Sequence, residues 1–209
     1  MFVLDEYSTT DLNLMHQIMK EYNFANVVTS SSGECYANHF PLILNTTAGP
    51  FGTLEGHMSR SNPQWQQMQK NARILVIFNG PHAYISPSTG VSSKMLPTWN
   101  YVALHAYGSV EVIEEPREIV GIMSRSIKEF EVGIEKPWKM ALPQEYLDLL
   151  VSKVVGFKLK IDRLEPQIKL NQDREKQERE SVTAHLSRSH RDEDKQIAAW
   201  MEKHAIPLP

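Results

Sequence analysis

Three short segments concentrate the side chains that could do chemistry. The run from Gly56 to Trp65 carries Ser59, Arg60 and Asn62; the run from Gly80 to Ser88 ends in Ser86 and Ser88, with Lys94 a few residues on; and Pro97 leads into Thr98, Trp99 and Asn100. Each ends an apolar run with hydroxyls, amides, a cation or an indole. Cations and hydroxyls bind an oxyanion, amides pair with the polar edge of a heterocycle, and an indole supplies a flat wall. Together these segments predict a pocket for a flat, anionic, hydrogen-bonding ligand. Arg60 lies where a strand is expected to turn into a helix, a place where backbone N–H groups also favour an anion. Lys169 and Gln172, after the last expected strand, offer a further cation and amide.

Other chemistries find little support. The histidines His39, His57, His82 and His105 lie in expected strands without tight ligand spacing or a nearby carboxylate pattern, so no metal site is expected. No Gly-x-Ser-x-Gly, P-loop or Gly-x-Gly-x-x-Gly run occurs, which leaves hydrolase and nucleotide-triphosphatase readings without a motif.

Elements must position these segments. Thr10 is a candidate N-cap for a helix in which Leu12, Met15, Ile18, Met19 and Tyr22 recur at helical spacing. Phe24 to Ser30, Cys35 to Leu44 and Phe51 to Ser59 read as short antiparallel strands separated by turn compositions. Asn62-Pro63 starts a helix to about Lys70. Ile74 to Phe78 reads as a buried strand broken by Asn79-Gly80-Pro81, and His82 to Ser86 as a second one placing His82, Tyr84 and Ser86 on one side.

Trp99 to Ile113 alternates with period two, setting Trp99, Tyr101, Ala103, His105 and Tyr107 against Val102, Leu104 and Ala106, with Gly108 marking a bulge or bend. Helices are expected from Pro116 to about Phe130 and from Pro143 to about Lys153, and a strand from Phe157 to Leu164. The order reads as mainly β with peripheral helices, an α+β fold with a β-barrel core over residues 1–170. Residues 171–209 form a helical extension packing on the barrel or on a partner subunit. Two polar helices with a break near Ser187 to His190 are expected there. From Asp173 to Lys195 there are six Lys or Arg against seven Asp or Glu, so this is no basic arm.

Composition agrees with a globular chain. The 209 residues are 41% hydrophobic and 22% charged, enough for one well-cored domain. A net charge of -3 and a pI near 6.2 provide no global field for polyanions, so direct DNA binding is supported by neither charge nor motif. A single cysteine, Cys35, excludes an intramolecular disulfide and fits a reducing compartment. Acids at Asp5 and Glu6 are unlike a signal peptide, and no run approaches a membrane span, so the reading is cytoplasmic with no membrane partner.

At these residues the sequence resembles the PaiB family, the FMN-binding negative transcriptional regulators of the flavin-binding split-barrel superfamily. The similarity runs over nearly the whole chain: 37–44, 56–65, 80–88, 97–101, 105–108 and 155–157, each in register. The resemblance implies a six-stranded Greek-key split barrel, a homodimer with flavin sites at the subunit interface, FMN as cofactor, and negative regulation of genes. A flavin- or haem-dependent oxidoreductase of the same superfamily is the alternative, although no obvious acid–base pair is present. Two departures from the family pattern stand out. Thr89-Gly90-Val91 follows Ser88 where the family commonly has an aromatic pair, and Gln167-Ile168-Lys169-Leu170-Asn171-Gln172 has one cation and one indole fewer than the family's Lys-Trp-Lys-Leu-Ser-Gln.

Overall fold

A computed structural model describes residues 1–31, 33–70, 73–89 and 96–204. The first amphipathic run folds as α1 (Leu12–Glu21), burying Leu14, Met15, Ile18 and Met19 on one face. The Thr9 hydroxyl accepts the Asp11 amide at 3.1 Å just ahead of it, a turn bond outside the helix. The following strands are β1 (Phe24–Ser31), β2 (Glu34–Pro41), β3 (Ile43–Asn45) and β4 (Thr53–Ser59), with α2 (Gln64–Lys70) after them. Then come β5 (Ile74–Ile85), β6 (Thr98–Ile113), α3 (Pro116–Phe130), α4 (Gln144–Ser152), β7 (Val154–Lys169), α5 (Lys176–Ser187) and α6 (Asp192–Lys203).

The strands form one sheet in the order β2-β1-β5-β6-β7-β4-β3. It holds seven strands where the resemblance implies six. Seven runs were expected from the residues, but two changes cancel: the runs 74–78 and 82–86 join into β5, and the run from Cys35 to Leu44 divides at Pro41, where Leu42 donates its amide to the Asn23 carbonyl at 2.9 Å and Ile43–Asn45 pairs with β4.

Asn79-Gly80-Pro81 does not break β5. β1 pairs with β5 only over Leu75–Ile77, so Pro81 lies beyond that ladder, where a missing N–H costs least. β7 likewise runs past the expected Phe157–Leu164 at both ends.

The chain divides into two compact units, and β5, β6 and β7 each contribute residues to both. One unit comprises Leu12–Phe78 and His105–Leu164. In it β1 and β2 form a hairpin turning at Gly33, whose φ of +85° is the left-handed conformation that glycine adopts without steric cost. β4 pairs antiparallel with β7 from Thr53↔Lys160 to Ser59↔Val154. Val27, Leu54, Phe78, Phe157 and Leu159 are buried in its core, and Ile113, Ile119, Ile122 and Val151 cluster beneath α3 and α4. Gly108 is the point where backbones meet: a Cβ there would lie 2.1 Å from the Lys160 carbonyl oxygen, so the residue read as a bulge or bend serves close approach.

The other unit comprises Met1–Asp11, Asn79–Leu104 and the chain from Glu165 onward. Along β5 the alternation holds, with Ala83 and Ile85 buried and His82 and Tyr84 exposed. Along β6, Val102 and Leu104 face inward and Trp99 outward. α5 and α6 bury the sparse apolar stripe Val182, Leu186, Ile197, Trp200 and Met201, and Ser181 donates to the Thr89 carbonyl at 2.7 Å.

Candidate functional site

The two units place different candidate residues. In the first, Asn62 accepts the Gln64 amide at 3.0 Å and so caps α2, as its position before Pro63 predicts. Ser59 and Ser61 share a hydroxyl–hydroxyl bond of 2.7 Å. The Arg60 guanidinium is held from three sides: it donates to Glu114 at 2.6 Å, to the Ser152 carbonyl at 3.2 Å and to the Val154 carbonyl at 3.3 Å. Its own amide reaches the Lys153 carbonyl at 2.8 Å, and its carbonyl accepts the Trp65 indole N–H at 3.0 Å. Arg60 thus clasps the α4–β7 turn, with its charge matched by Glu114. Close by in β4, His57 has a buried Nδ1 without a hydrogen-bond partner, and burial lowers its pKa below the usual histidine range.

In the second unit Lys169, at the end of β7, donates to the Thr98 hydroxyl at 2.6 Å and stands 5.6 Å from the Tyr7 ring centroid. Among the described residues, no carboxylate pairs with it. Tyr7 is 6% exposed, and burial, then Asp173 and Glu6, push its phenol well above the ordinary tyrosine pKa. That ring stays neutral and underlies a cation whose described polar partner is the Thr98 hydroxyl. Ser86 and Ser88 share a bond of 2.8 Å, and Thr89 donates its hydroxyl to the Ser86 carbonyl at 2.7 Å.

Trp99 is 48% exposed, an expensive placement for an indole unless something covers it. Its ring lies 5.9 Å from His82 and 5.8 Å from Tyr84, and Tyr84 is itself 46% exposed. The three rings make an aromatic surface on the outward side of β5 and β6. His82 and Tyr84 belong with Trp99, although only Trp99 had been singled out. The signal for them was the alternation from His82 to Ser86. Tyr7 left no comparable trace, because its relation to Lys169 is not local.

Two of the expected residues turn inward. Asn100 is fully buried, its amide nitrogen 3.6 Å from the Met201 sulfur and its Oδ1 without a partner. Gln172 spends both ends of its amide on the backbone, accepting from the Leu170 N–H at 2.6 Å and donating to the Ile168 carbonyl. Lys94 lies outside the described residues. Among the described residues, no three His, Cys, Asp or Glu side chains are grouped to hold a metal ion, and no helix is long and apolar enough to cross a membrane.

Residues 1–163 match the family model described as "Putative FMN-binding domain". The chain belongs to this family. The Bacillus subtilis protease synthase and sporulation protein PAI 2 is 31% identical over 97% of both chains. An uncharacterised protein of Emericella nidulans is 27% identical over 95% of each. Among solved structures, the FAD and heme binding protein from Mycobacterium smegmatis superposes with a TM-score of 0.61 at 15% identity, covering 78% of this chain and 73% of that one. A flavocytochrome from Azotobacter vinelandii gives a TM-score of 0.61 at 10% identity, covering 78% and 69%. At such identities the likeness is one of fold, the α+β split barrel that this FMN-binding protein shares. FMN is the cofactor that names the family, and the residues present fit it. Lys169 has no acid partner among the described residues, Ser86, Ser88 and Thr98 bring hydroxyls, and Trp99 and Tyr84 present flat apolar faces.

Proposed function

We propose that this protein binds FMN through Ser86, Ser88, Thr98, Trp99 and Lys169, and acts as a homodimeric, cytoplasmic negative regulator of transcription. The observation that carries the flavin assignment is Lys169, held by the Thr98 hydroxyl over the Tyr7 ring with no neutralising carboxylate among the described residues. A cation fixed in this way loses little freedom on meeting a phosphate and need not first leave another anion. The set Ser59, Arg60 and Asn62 is a second candidate for the anionic end, and for it the Arg60–Glu114 pair would have to open. Lys94, Asn100 and Gln172 complete the proposed contacts, with Asn100 offering its unpaired Oδ1.

When bound, FMN supplies a redox-active ring. The protein's part is to hold the phosphate by cation and hydroxyl and to cover one ring face with an indole. The regulatory role draws on the similarity to PAI 2 along 97% of the chain. The mixed charge of the extension 171–209 favours action through a protein partner over direct DNA contact.

The deciding experiment is the visible spectrum of the purified protein, followed by titration of FMN fluorescence. A yellow protein, or saturable quenching by the colourless one, is expected. A colourless protein that leaves FMN fluorescence unchanged removes the flavin assignment. Light scattering reads the dimer, and gel shifts across a salt series read DNA contact, where retardation at low salt would overturn the partner-mediated reading.

A further inference from the structure

The connection 131–143 between α3 and α4 builds a second concave site, none of whose residues is assigned to the flavin. α3 stops at Phe130, and the amides that follow close its end. Glu131 donates to the Ile127 carbonyl at 2.9 Å, Val132 to the Glu129 carbonyl at 3.4 Å and Ile134 to the Glu131 carbonyl at 3.2 Å. The chain turns at Gly133, where φ is +84°, and the Glu131 carboxylate then accepts the Trp138 amide at 2.7 Å. That bond pins 131–138 into a loop set against the helix it has just left.

A cavity of about 500 Å³ lies between this loop and the last two turns of α3, a volume within the range of small-molecule sites. Its walls are Ile127, Val132, Pro137, Trp138 and Met140. Val132 is 77% exposed and Trp138 49%, so large apolar side chains meet water at a concave place whose shape the Glu131 bond already fixes. The half-exposed indole offers a flat face, and a thioether makes favourable contacts with the edge of an aromatic ring.

The charge at the border has one sign in excess. Lys128 and Lys139 both line the cavity, and neither forms an ion pair among the described residues. Lys128 stands on the last turn of α3, where free carbonyls attract a cation, but the Ile127 and Glu129 carbonyls there are already occupied, which weakens that attraction. Glu131, the carboxylate among the lining residues, is turned to the Trp138 amide. Two ammonium groups beside an apolar, aromatic wall are complementary to a molecule that carries a ring at one end and an anion at the other.

We propose that this cavity binds an aromatic carboxylic acid, its ring lying on Trp138, Pro137 and Met140 and its carboxylate met by Lys128 and Lys139. An aliphatic acid of similar size gains the burial but not the ring contacts. The assignment is independent of the flavin.

Calorimetric titration of the full chain in excess FMN tests it, with indole-3-acetate and 1-naphthaleneacetate as probes. The amide of each keeps the ring and loses the charge, and octanoate keeps the charge and loses the ring. Saturable binding of at least one aromatic acid is expected, weaker by about tenfold or more for its amide and for octanoate. A similar loss is expected in the double variant Lys128→Gln, Lys139→Gln and in Trp138→Leu. Both variants keep the main-chain bond to Glu131, so circular dichroism should stay unchanged. Absence of saturable heat from both acids overturns the proposal, as does equal binding of the matching amide or of octanoate. Binding indifferent to either variant overturns it too, since the acid then lies elsewhere. Binding seen without FMN and lost in its presence places the acid in the flavin site and likewise overturns it.

Discussion

Lys169 donates to the Thr98 hydroxyl at 2.6 Å, joining the end of β7 to the start of β6 across 71 residues of sequence. The bond orients an ammonium that forms no ion pair among the described residues, with the neutral Tyr7 ring 5.6 Å away. Lys169→Met should weaken FMN binding by about tenfold or more, the scale of one charge-assisted contact. Thr98→Val, which removes only the orienting hydroxyl, should cost less. Fluorescence-quenching titrations check both, and an unchanged dissociation constant in Lys169→Met would place the phosphate elsewhere.

Arg60 is expected to behave chiefly as a structural residue. Its ion pair with Glu114 is partly exposed and contributes little by itself, but the two carbonyl bonds hold the α4–β7 turn. Arg60→Ala should lower stability by about 1–2 kcal/mol, while Glu114→Gln lowers it by less than 1 kcal/mol or so. Urea unfolding gives both values. A larger effect of Arg60→Ala on FMN affinity than on stability would restore it as a phosphate ligand.

Glu55 is 6% exposed and is reached by the Arg125 Nε and Nη2, each at 2.7 Å. Arg125→Met leaves that carboxylate buried without its cation and should cost about 2–3 kcal/mol, at or below the low end of the range for broken buried pairs because Arg125 is itself half exposed. Adding Glu55→Gln should recover much of the loss. If the double variant is as unstable as the single one, the cost comes from lost packing and not from the stranded charge.

His57 makes stability depend on pH. Burial holds its folded pKa below 6.5, so as pH falls the unfolded chain takes up this proton first. The contribution is complete above 6.5, declines as pH drops from there toward the folded value, and is constant below that value. Melting temperatures followed from about pH 8 to about pH 5 should fall on the acid side, and His57→Asn should shrink that fall. An identical acid slope in wild type and variant would acquit His57.

Much of the fold was legible because its signals are local. Pro116 opened α3 and apolar spacing carried it to Phe130, where the helix ends. Period-two alternation sorted the faces of β6, and the Ser187 to His190 break separated α5 from α6. Where reading failed, ladder partners decided. Asn79-Gly80-Pro81 is a turn composition, yet β5 passes through it because Pro81 lies beyond the β1 ladder. Pro41 divides an apparently continuous strand because Ile43–Asn45 finds β4.

The candidate site divides along the same line. The sequence by itself determined the family, the alternation that sets Trp99 outward, the cap at Asn62 and the hydroxyls at Ser86 and Ser88, since residue type and near spacing suffice for these. Only the tertiary structure decided which partner Arg60, Lys169 and Asn100 each meet. Arg60 meets Glu114 at a separation of 54 residues, Lys169 meets Thr98 at 71, and Asn100 turns inward to Met201 at 101. Charge and hydrogen bonding act through space over a few ångströms, and the sequence distance between partners carries no record of which groups folding brings within that range.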